Sequence, residues 1–158
     1  SGQTLYAPGH VIQVVEGTTS SAVRLSAAGT WTDIGLSASI TPASASSKIL
    51  VMASVQYRVF ITTGDNGAAL RILRDTTQIS GPSGSPYTYE IGYAGYVFNG
   101  AFEPSGRAPV MRLDTPSTTS SVTYKIQGIM RSASGNNVVD FQDDDAYSSD
   151  LVLMEIAG

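Results

Sequence analysis

The chain has 158 residues, of which 42% are hydrophobic and 14% are charged; this length suits one domain with a hydrophobic core, and the composition excludes a highly charged disordered chain. Nine basic and 13 acidic residues give a net charge of −4, so we expect no nucleic-acid partner, because no basic surface is available to bind phosphates. The absence of cysteine excludes disulfides and thiolate ligands, and no run of about 18 apolar residues is present for membrane insertion.

Apolar residues that recur at every second position predict an all-β chain without helices. The segments predicted as strands, about nine or ten in number, are in chain order Val11–Val15, Val23–Ser26, Asp33–Ile40, Lys48–Ile61, Ala69–Arg74, Tyr87–Asn99, Pro109–Leu113, Val122–Arg131, Val138–Gln142 and Leu151–Ile156. This count favours an antiparallel two-sheet sandwich or jelly roll over residues 10–158. Residues 1–9 are predicted to form an N-terminal arm that precedes this single domain.

Turn residues separate the predicted strands. Asp65-Asn66-Gly67, Asn99-Gly100 and Ser134-Gly135-Asn136 combine residues that tolerate a positive φ, so each is predicted to be a hairpin tip. Two similar segments, Thr41–Ser47 and Thr115–Ser121, both begin with Thr-Pro and end with Ser-Ser. We interpret them as polar crossover loops at which the chain changes sheet.

Two predicted strands carry apolar residues on both faces, namely Val11–Val15 and Leu151–Ile156. A strand of this kind is buried on both sides, either inside the sandwich or against a neighbouring subunit. One sandwich of this size has difficulty covering both strands, so the pattern predicts a stable homotrimer. The residues predicted to form the subunit seam are Val11, Val15, Leu153 and Ile156.

No combination of nucleophile, base and orienting group can be named, so we expect no enzymatic activity, no catalytic residues and no cofactor. His10 is the only histidine and is interpreted as a surface or packed residue. Glu155 lies in an otherwise apolar strand and is the best candidate for a carboxyl group with a perturbed pKa. We expect it to face a subunit seam, to pair with an arginine or to reach solvent near the C-terminus.

The densest charge cluster is Asp143-Asp144-Asp145. Calcium prefers oxygen ligands of this kind, but the run lacks the spaced ligand order of an EF-hand loop. Adjacent carboxylates on one turn point in different directions and cannot all bind one ion. The sequence therefore favours a solvated acidic turn, and we expect no metal site.

Tyrosines cluster in the Gly-rich stretch before Asn99, where Tyr87, Tyr89 and Tyr93 share one strand face. If they are exposed, they form a flat platform for sugar rings or for another protein, to which the predicted hairpin tips at Asn66 and Asn99 contribute. If they are buried, they fill the core. Burial is favoured, because the chain has one Trp and four Phe and needs further bulky side chains for its interior.

Four segments together resemble a family of bacteriophage virion proteins common in phages of aquatic bacteria, which includes tail-fibre and other surface structural proteins. They are Gly9–Val15, Ile40–Val51, Ser117–Tyr124 and Met154–Gly158. The resemblance implies a homotrimeric β-structure without catalytic residues, located in the virion. It provides no set of functional residues to transfer to this chain.

Attachment is the role that the resemblance implies, and two forms of it remain open. About nine residues precede the first strand and reach at most about 30 Å, which is too short for a fibre shaft if the chain is a whole gene product. We therefore expect a capsid decoration (cement) protein, whose arm places Leu5, Tyr6 and Pro8 in a groove of the major capsid protein or another virion protein. The alternative is the receptor-binding head of a tail fibre, with a host-surface glycan as its ligand.

Overall fold

A computed structural model describes residues 7–82, 91–97, 100–143 and 147–158. These residues form eleven strands and no α-helix. The strands are β1 (Val11–Thr19), β2 (Val23–Leu25), β3 (Thr32–Ile40), β4 (Lys48–Phe60), β5 (Gly64–Arg74), β6 (Thr77–Ser80), β7 (Ile91–Val97), β8 (Ser105–Asp114), β9 (Val122–Met130), β10 (Val138–Phe141) and β11 (Ser149–Ile156). Within the described segments there is accordingly no helix of the length and apolarity that a membrane span requires.

The strands form two antiparallel sheets, which we call sheet A and sheet B. Sheet A has the strand order β1-β11-β4-β10-β2, and β8 also pairs with β4. Sheet B has the order β3-β9-β5-β6, and β7 also pairs with β5. The predicted all-β, two-sheet, antiparallel class is thus confirmed, and the arrangement is compatible with a sandwich.

The longest strand, β4, organises sheet A. Its residues 48–54 pair with β11 and residues 57–60 pair with β10, while residues 49–58 pair with β8. As the alternating sequence predicts, its odd-numbered side chains from Ile49 to Val55 are buried. Strand β3 buries Ile34, Leu36 and Ile40 in the same way from sheet B. The buried residues of both sheets form one hydrophobic cluster, so the two sheets share a core.

One strand and two turns differ from the sequence prediction. Strand β6 was not expected; it follows a two-residue turn at Asp75 and Thr76, in which Asp75 adopts a φ of 53°. The predicted hairpin tip at residues 65–67 is wrong, because these residues lie inside β5. The turn at residues 134–136 does form, but it leads from β9 of sheet B to β10 of sheet A and is not a hairpin.

The two similar loops connect the sheets as predicted. Thr41–Ser47 joins β3 of sheet B to β4 of sheet A, and Thr115–Ser121 joins β8 of sheet A to β9 of sheet B. Each loop therefore delivers a long strand to the opposite sheet, where its alternate residues enter the shared core.

Candidate interaction face

The outer surface of sheet A is apolar where β1, β11, β4 and β8 lie side by side. The cross-strand pairing places side chains in rows that share one face. One row is Val14, Met154, Leu50 and Leu113, and the next begins at Glu16 and continues through Val152, Met52 and Met111. We call this surface the apolar face and define it by Val11, Val14, Leu50, Met52, Met111, Leu113, Val152, Met154 and Ile156.

Several side chains of the apolar face are strongly exposed. Met111 is 65% exposed, Val11 and Val14 are each 52% exposed and Leu113 is 48% exposed. With strands about 4.8 Å apart and about 6.8 Å between successive side chains on one face, the nine residues of the apolar face cover roughly 300 Å². A contiguous apolar patch of this size is comparable to the largest patch on a typical single domain, and such patches often have a binding function.

Methionine is concentrated on this surface. The chain has four methionines; Met52, Met111 and Met154 lie on the apolar face, whereas Met130 is fully buried in the core. The unbranched, polarizable thioether side chain adapts to irregular partner surfaces and is common at protein-binding sites. Three of the four methionines of the chain thus lie on the apolar face.

The outer surface of sheet B has the opposite character. The Asp33 carboxylate accepts hydrogen bonds from the Lys125 ammonium at 2.9 Å and from the Gln127 amide at 2.5 Å. Arg71 donates to the Gln127 side-chain oxygen and lies 4.4 Å from the centre of the Trp31 ring. The groups named on β3, β9 and β5 are polar and satisfy one another, in contrast to the apolar rows on the outer side of sheet A.

A polar row closes one end of the apolar face. Arg107 of β8 reaches across to the Asp150 carboxylate at 3.2 Å and to the Ser54 hydroxyl at 3.2 Å. Thr18 of β1 donates to the same carboxylate at 3.2 Å. These contacts link all four strands through polar groups and mark where the apolar surface stops.

Three charged side chains on the strands of sheet A have no partner among the described residues. They are Glu16 on β1, Lys48 at the start of β4 and Arg112 on β8, and all three are exposed. Within the described ranges, every other charged side chain makes an ion pair, a hydrogen bond or a cation–π contact. The pairing places Glu16 and Lys48 on the outer side of the sheet with the apolar face, whereas Arg112 pairs with the core-facing Val51 and points to the other side.

Of the four residues predicted to form the subunit seam, two face outward and two face the core of their own chain. Val11 and Ile156 do lie on the apolar face, but Leu153 is fully buried in the core of the same chain, and Val15 packs against that core. The physical reason is the pleat: in β11 the odd residues face the core and the even residues face outward. Leu50 and Met52, which interrupt the polar side of β4, were the sequence signal for the outward surface.

Glu155 is a buried structural carboxylate. It is fully buried, and its oxygens accept hydrogen bonds from the Gln13 side-chain amide at 2.6 Å and from the Ala43 backbone amide at 2.7 Å. Burial opposes ionisation, but the hydrogen-bond donors around the carboxylate, which include Gln13 and the Ala43 amide, outweigh it, so the pKa of Glu155 lies below its ordinary value. The expectations of a seam, an arginine partner or solvent are wrong, because this carboxylate holds the Thr41–Ser47 loop.

Asp143 does not belong to a solvated turn, which corrects that prediction for the first residue of the acidic run. Its carboxylate lies 2.7 Å from the Arg58 Nε, and the same guanidinium contacts Asp140 at 2.6 Å and Glu103 at 3.1 Å. Asp144 and Asp145 lie outside the described residues. The described residues contain no group of three or more His, Asp or Glu side chains arranged to hold a metal ion.

The tyrosine surface is described only in part, since Tyr87, Tyr89 and Asn99 lie outside the described residues. Tyr93 is 50% exposed, so its predicted burial is wrong. It lies on β7, which pairs only with β5 among the described strands. The free edge of such a strand is open to solvent. The Arg131 guanidinium lies 5.6 Å from the centre of its ring.

Asn66 does not contribute to a surface for a ligand or partner, so the prediction for this residue is wrong. It is fully buried. Its amide nitrogen donates to the carbonyls of Phe60 and Val138 at 3.4 Å each, and its oxygen accepts from the Ser132 amide at 3.1 Å. The side chain therefore satisfies backbone groups of three neighbouring segments and is not available to a ligand.

Of the predicted N-terminal arm, Leu5 and Tyr6 lie outside the described residues. Pro8 and His10 are exposed. The Gly9 amide donates to the Ala157 carbonyl at 2.8 Å, and the Ala157 amide donates to the His10 carbonyl at 2.8 Å. The chain is thus fixed to the end of β11 from Gly9 onward, beside Val11 of the apolar face.

No protein-family model matches the chain, and no curated protein matches it. Among solved structures, it is similar to a chain in the structure of infectious bursal disease virus, Gx strain, with 12% sequence identity and a TM-score of 0.36. The similarity covers 94% of this chain and 39% of the viral chain, so this chain spans about two fifths of the length of that protein. A likeness of this extent does not bear on function.

Proposed function

We propose that this chain is a non-enzymatic structural protein of a virus particle, which acts by protein–protein contact through the apolar face. The sequence resemblance to bacteriophage virion proteins suggests the setting. The observation that supports the contact role is the exposed, methionine-rich outer surface of sheet A, opposite a sheet B surface whose polar groups satisfy one another.

The area of the apolar face fits this role. Covering roughly 300 Å² of apolar surface gains about 7 kcal/mol at about 25 cal/mol per Å². Association of two proteins costs about 4–15 kcal/mol in lost freedom of motion. The apolar face alone therefore roughly offsets that cost, and the polar and charged residues around it decide which partner binds.

The buried acidic groups support a non-enzymatic role. Glu155 already accepts hydrogen bonds from Gln13 and from the loop amide of Ala43. Asp140 is 3% exposed and is held between Arg24 and Arg58, each at 2.6 Å. Both carboxylates are held in place by structural partners, which is unlike a general acid or base poised for proton transfer.

Capsid decoration is the form of attachment that we favour. The arm leaves the domain beside Val11, at the end of the apolar face. We expect Leu5, Tyr6 and Pro8 to bind a groove of the major capsid protein while the domain lies on the shell. Immunogold labelling of purified virions tests this proposal: label over the shell is expected, and label confined to fibre tips or absent from particles would contradict it.

A receptor-binding head of a tail fibre is the second candidate. The observation that favours it is the half-exposed Tyr93 ring with the Arg131 guanidinium beside it, since exposed aromatic rings stack on sugars. Adsorption of the labelled domain to host cells, with Tyr93→Ala as the variant, tests this candidate. Binding that the substitution abolishes would favour the fibre role, and no binding would favour decoration.

A further inference from the structure

We infer that the outer side of sheet A carries a binding cleft for a neutral carbohydrate, formed by β4, β8 and the segment that leads into β11. The cleft lies on the far side of the polar row that ends the apolar face, so it is a separate surface. It is also distinct from Tyr93, which lies on β7 of sheet B. The inference goes beyond the contact role of the apolar face and depends neither on that role nor on the virion setting.

The cleft has the size of a small-molecule site. Its volume is about 420 Å³, within the range of about 300–1,000 Å³ that is usual for such sites. In β4 and β8, Gln56 pairs with Arg107 and Arg58 pairs with Ser105, so two successive cross-strand pairs present their side chains on the outer side of the sheet. The side chains that line the cleft are Gln56, Arg58, Ser105, Arg107, Asp143 and Tyr147.

Tyr147 gives the cleft an aromatic surface. Its side chain is 55% exposed, which makes it the most exposed Phe, Tyr or Trp among the described residues. A tyrosine ring supplies a rigid contact area at a low cost in conformational entropy, and its hydroxyl group can stay in water while the ring is covered. The C–H face of a sugar ring is an apolar surface that can cover such a ring.

Gln56 gives the cleft a hydrogen-bond donor with spare capacity. It is the most buried of the lining side chains, at 7% exposure. Its side-chain oxygen accepts from the Asp143 backbone amide at 3.0 Å, whereas its nitrogen makes one long contact of 3.4 Å to the Tyr57 carbonyl. The amide nitrogen carries two N–H groups, so one of them has no acceptor among the described residues. A ligand oxygen in the cleft would satisfy it.

The charges around the cleft favour a neutral ligand. The Arg58 guanidinium is contacted by three carboxylates, those of Asp140 at 2.6 Å, Asp143 at 2.7 Å and Glu103 at 3.1 Å. An anionic ligand would have to displace these carboxylates, and a cationic ligand would lie against the guanidinium groups of Arg58 and Arg107. A hydroxyl group both donates and accepts, so a sugar can bond to the paired groups without separating them.

An immobilised array of neutral, sialylated and sulfated glycans tests the inference with the full chain. The unmodified protein is expected to bind neutral glycans, and the strongest of them is then titrated by calorimetry. Tyr147→Ala is expected to weaken this binding about tenfold, because the stacking surface is lost, and Tyr147→Phe is expected to keep most of it. Since Tyr147 is exposed, the melting temperature of both variants is expected to be unchanged.

Two further variants separate this cleft from the other surfaces. Tyr93→Ala removes the other half-exposed tyrosine, and Met111→Lys places a charge in the apolar face; both are expected to bind the glycan like the unmodified protein. Binding lost in Tyr93→Ala and kept in Tyr147→Ala would overturn the cleft as the site. Binding restricted to sialylated or sulfated glycans, or no binding to any glycan, would also overturn the inference. None of these results bears on the apolar face, whose contact role is tested by the virion binding of Met111→Lys.

Discussion

Met52 and Met111 lie directly opposite each other in the paired strands β4 and β8, and both project from the outer side of sheet A. A cross-strand pair of this kind normally stabilises a sheet by covering the face on which it lies. Here Met111 is 65% exposed, so the pair is incompletely covered within one chain. The Met52–Met111 pair therefore shows, in two neighbouring residues, the incomplete coverage that characterises the apolar face.

Substitutions at Leu153 and Val14 compare a core position with an exposed position of the apolar face. Because Leu153 is fully buried in its own chain, Leu153→Ala is expected to reduce the free energy of unfolding by about 2–4 kcal/mol through lost contacts and a cavity. Val14→Ala on the neighbouring strand, at an exposed position, is expected to change it by less than about 0.5 kcal/mol. Urea denaturation of both variants in the Met111→Lys background, which is expected to be monomeric, measures the two effects; equal losses would contradict the placement of Leu153.

Glu155 predicts a specific dependence of stability on pH. Its pKa in the folded chain lies below the ordinary value of 4.5, so the folded state favours the ionised carboxylate. The resulting stabilisation is complete above the ordinary pKa and is lost as the pH falls from about 4.5 through the folded pKa. Glu155→Gln is expected to be less stable at pH 7 by about 1–3 kcal/mol, and its stability is expected to fall less steeply below pH 4.5. Parallel pH profiles of the two proteins in urea titrations would contradict this role.

Asp140 tests the arginine network. It is 3% exposed and bridges Arg24 and Arg58. Asp140→Asn is therefore expected to lower the free energy of unfolding by about 2 kcal/mol. This loss is smaller than for a fully buried ion pair, because Arg24 is exposed to solvent. Asp33→Asn is the matched control, since the Asp33 side chain is 54% exposed beside Lys125, and is expected to cost less than about 1 kcal/mol. The check is the shift of the urea midpoint; a larger shift for Asp33→Asn would refute the assignment.

Deletion of residues 1–8 tests the arm. The chain is hydrogen-bonded to the end of β11 only from Gly9 onward within the described residues, so the deletion is expected to leave the melting temperature and the oligomer unchanged. Binding to the virion shell is expected to be lost, because the apolar residues of the arm are removed. Truncated protein that still coats particles at full occupancy would exclude the arm as the anchor.

The sequence predicts the parts of this fold that depend on local patterns. Alternation in residues 33–40 and 48–61 identifies β3 and β4 with the correct buried positions, because a strand with one buried face requires period two. The apolar residues on both sides of residues 151–156 correctly mark an unusual strand. They do not reveal which side faces the core, since both sides of β11 are hydrophobic and only packing against sheet B distinguishes them.

The remaining features depend on contacts between distant segments. Asn66 resembles a turn residue in the sequence, but its amide binds backbone groups near residues 60, 132 and 138, which no local pattern shows. Asp143 likewise appears solvated until Arg58 is placed beside it. The same limit applies to the candidate interaction face, because the absence of partners for Glu16 and Lys48 among the described residues becomes visible only when the other charges are paired.

The most direct test of the central claim is the rate at which dilute peroxide oxidises each methionine at different protein concentrations, followed by peptide mass spectrometry. We expect oxidation of Met52, Met111 and Met154 to slow as the chain forms the homotrimer predicted from the sequence, while the buried Met130 reacts slowly at every concentration and serves as the internal control. Met111 is expected to react fastest in the dissociated protein, because it is the most exposed. Oxidation of the three outward methionines at a rate independent of concentration would contradict the claim that the apolar face is covered on association.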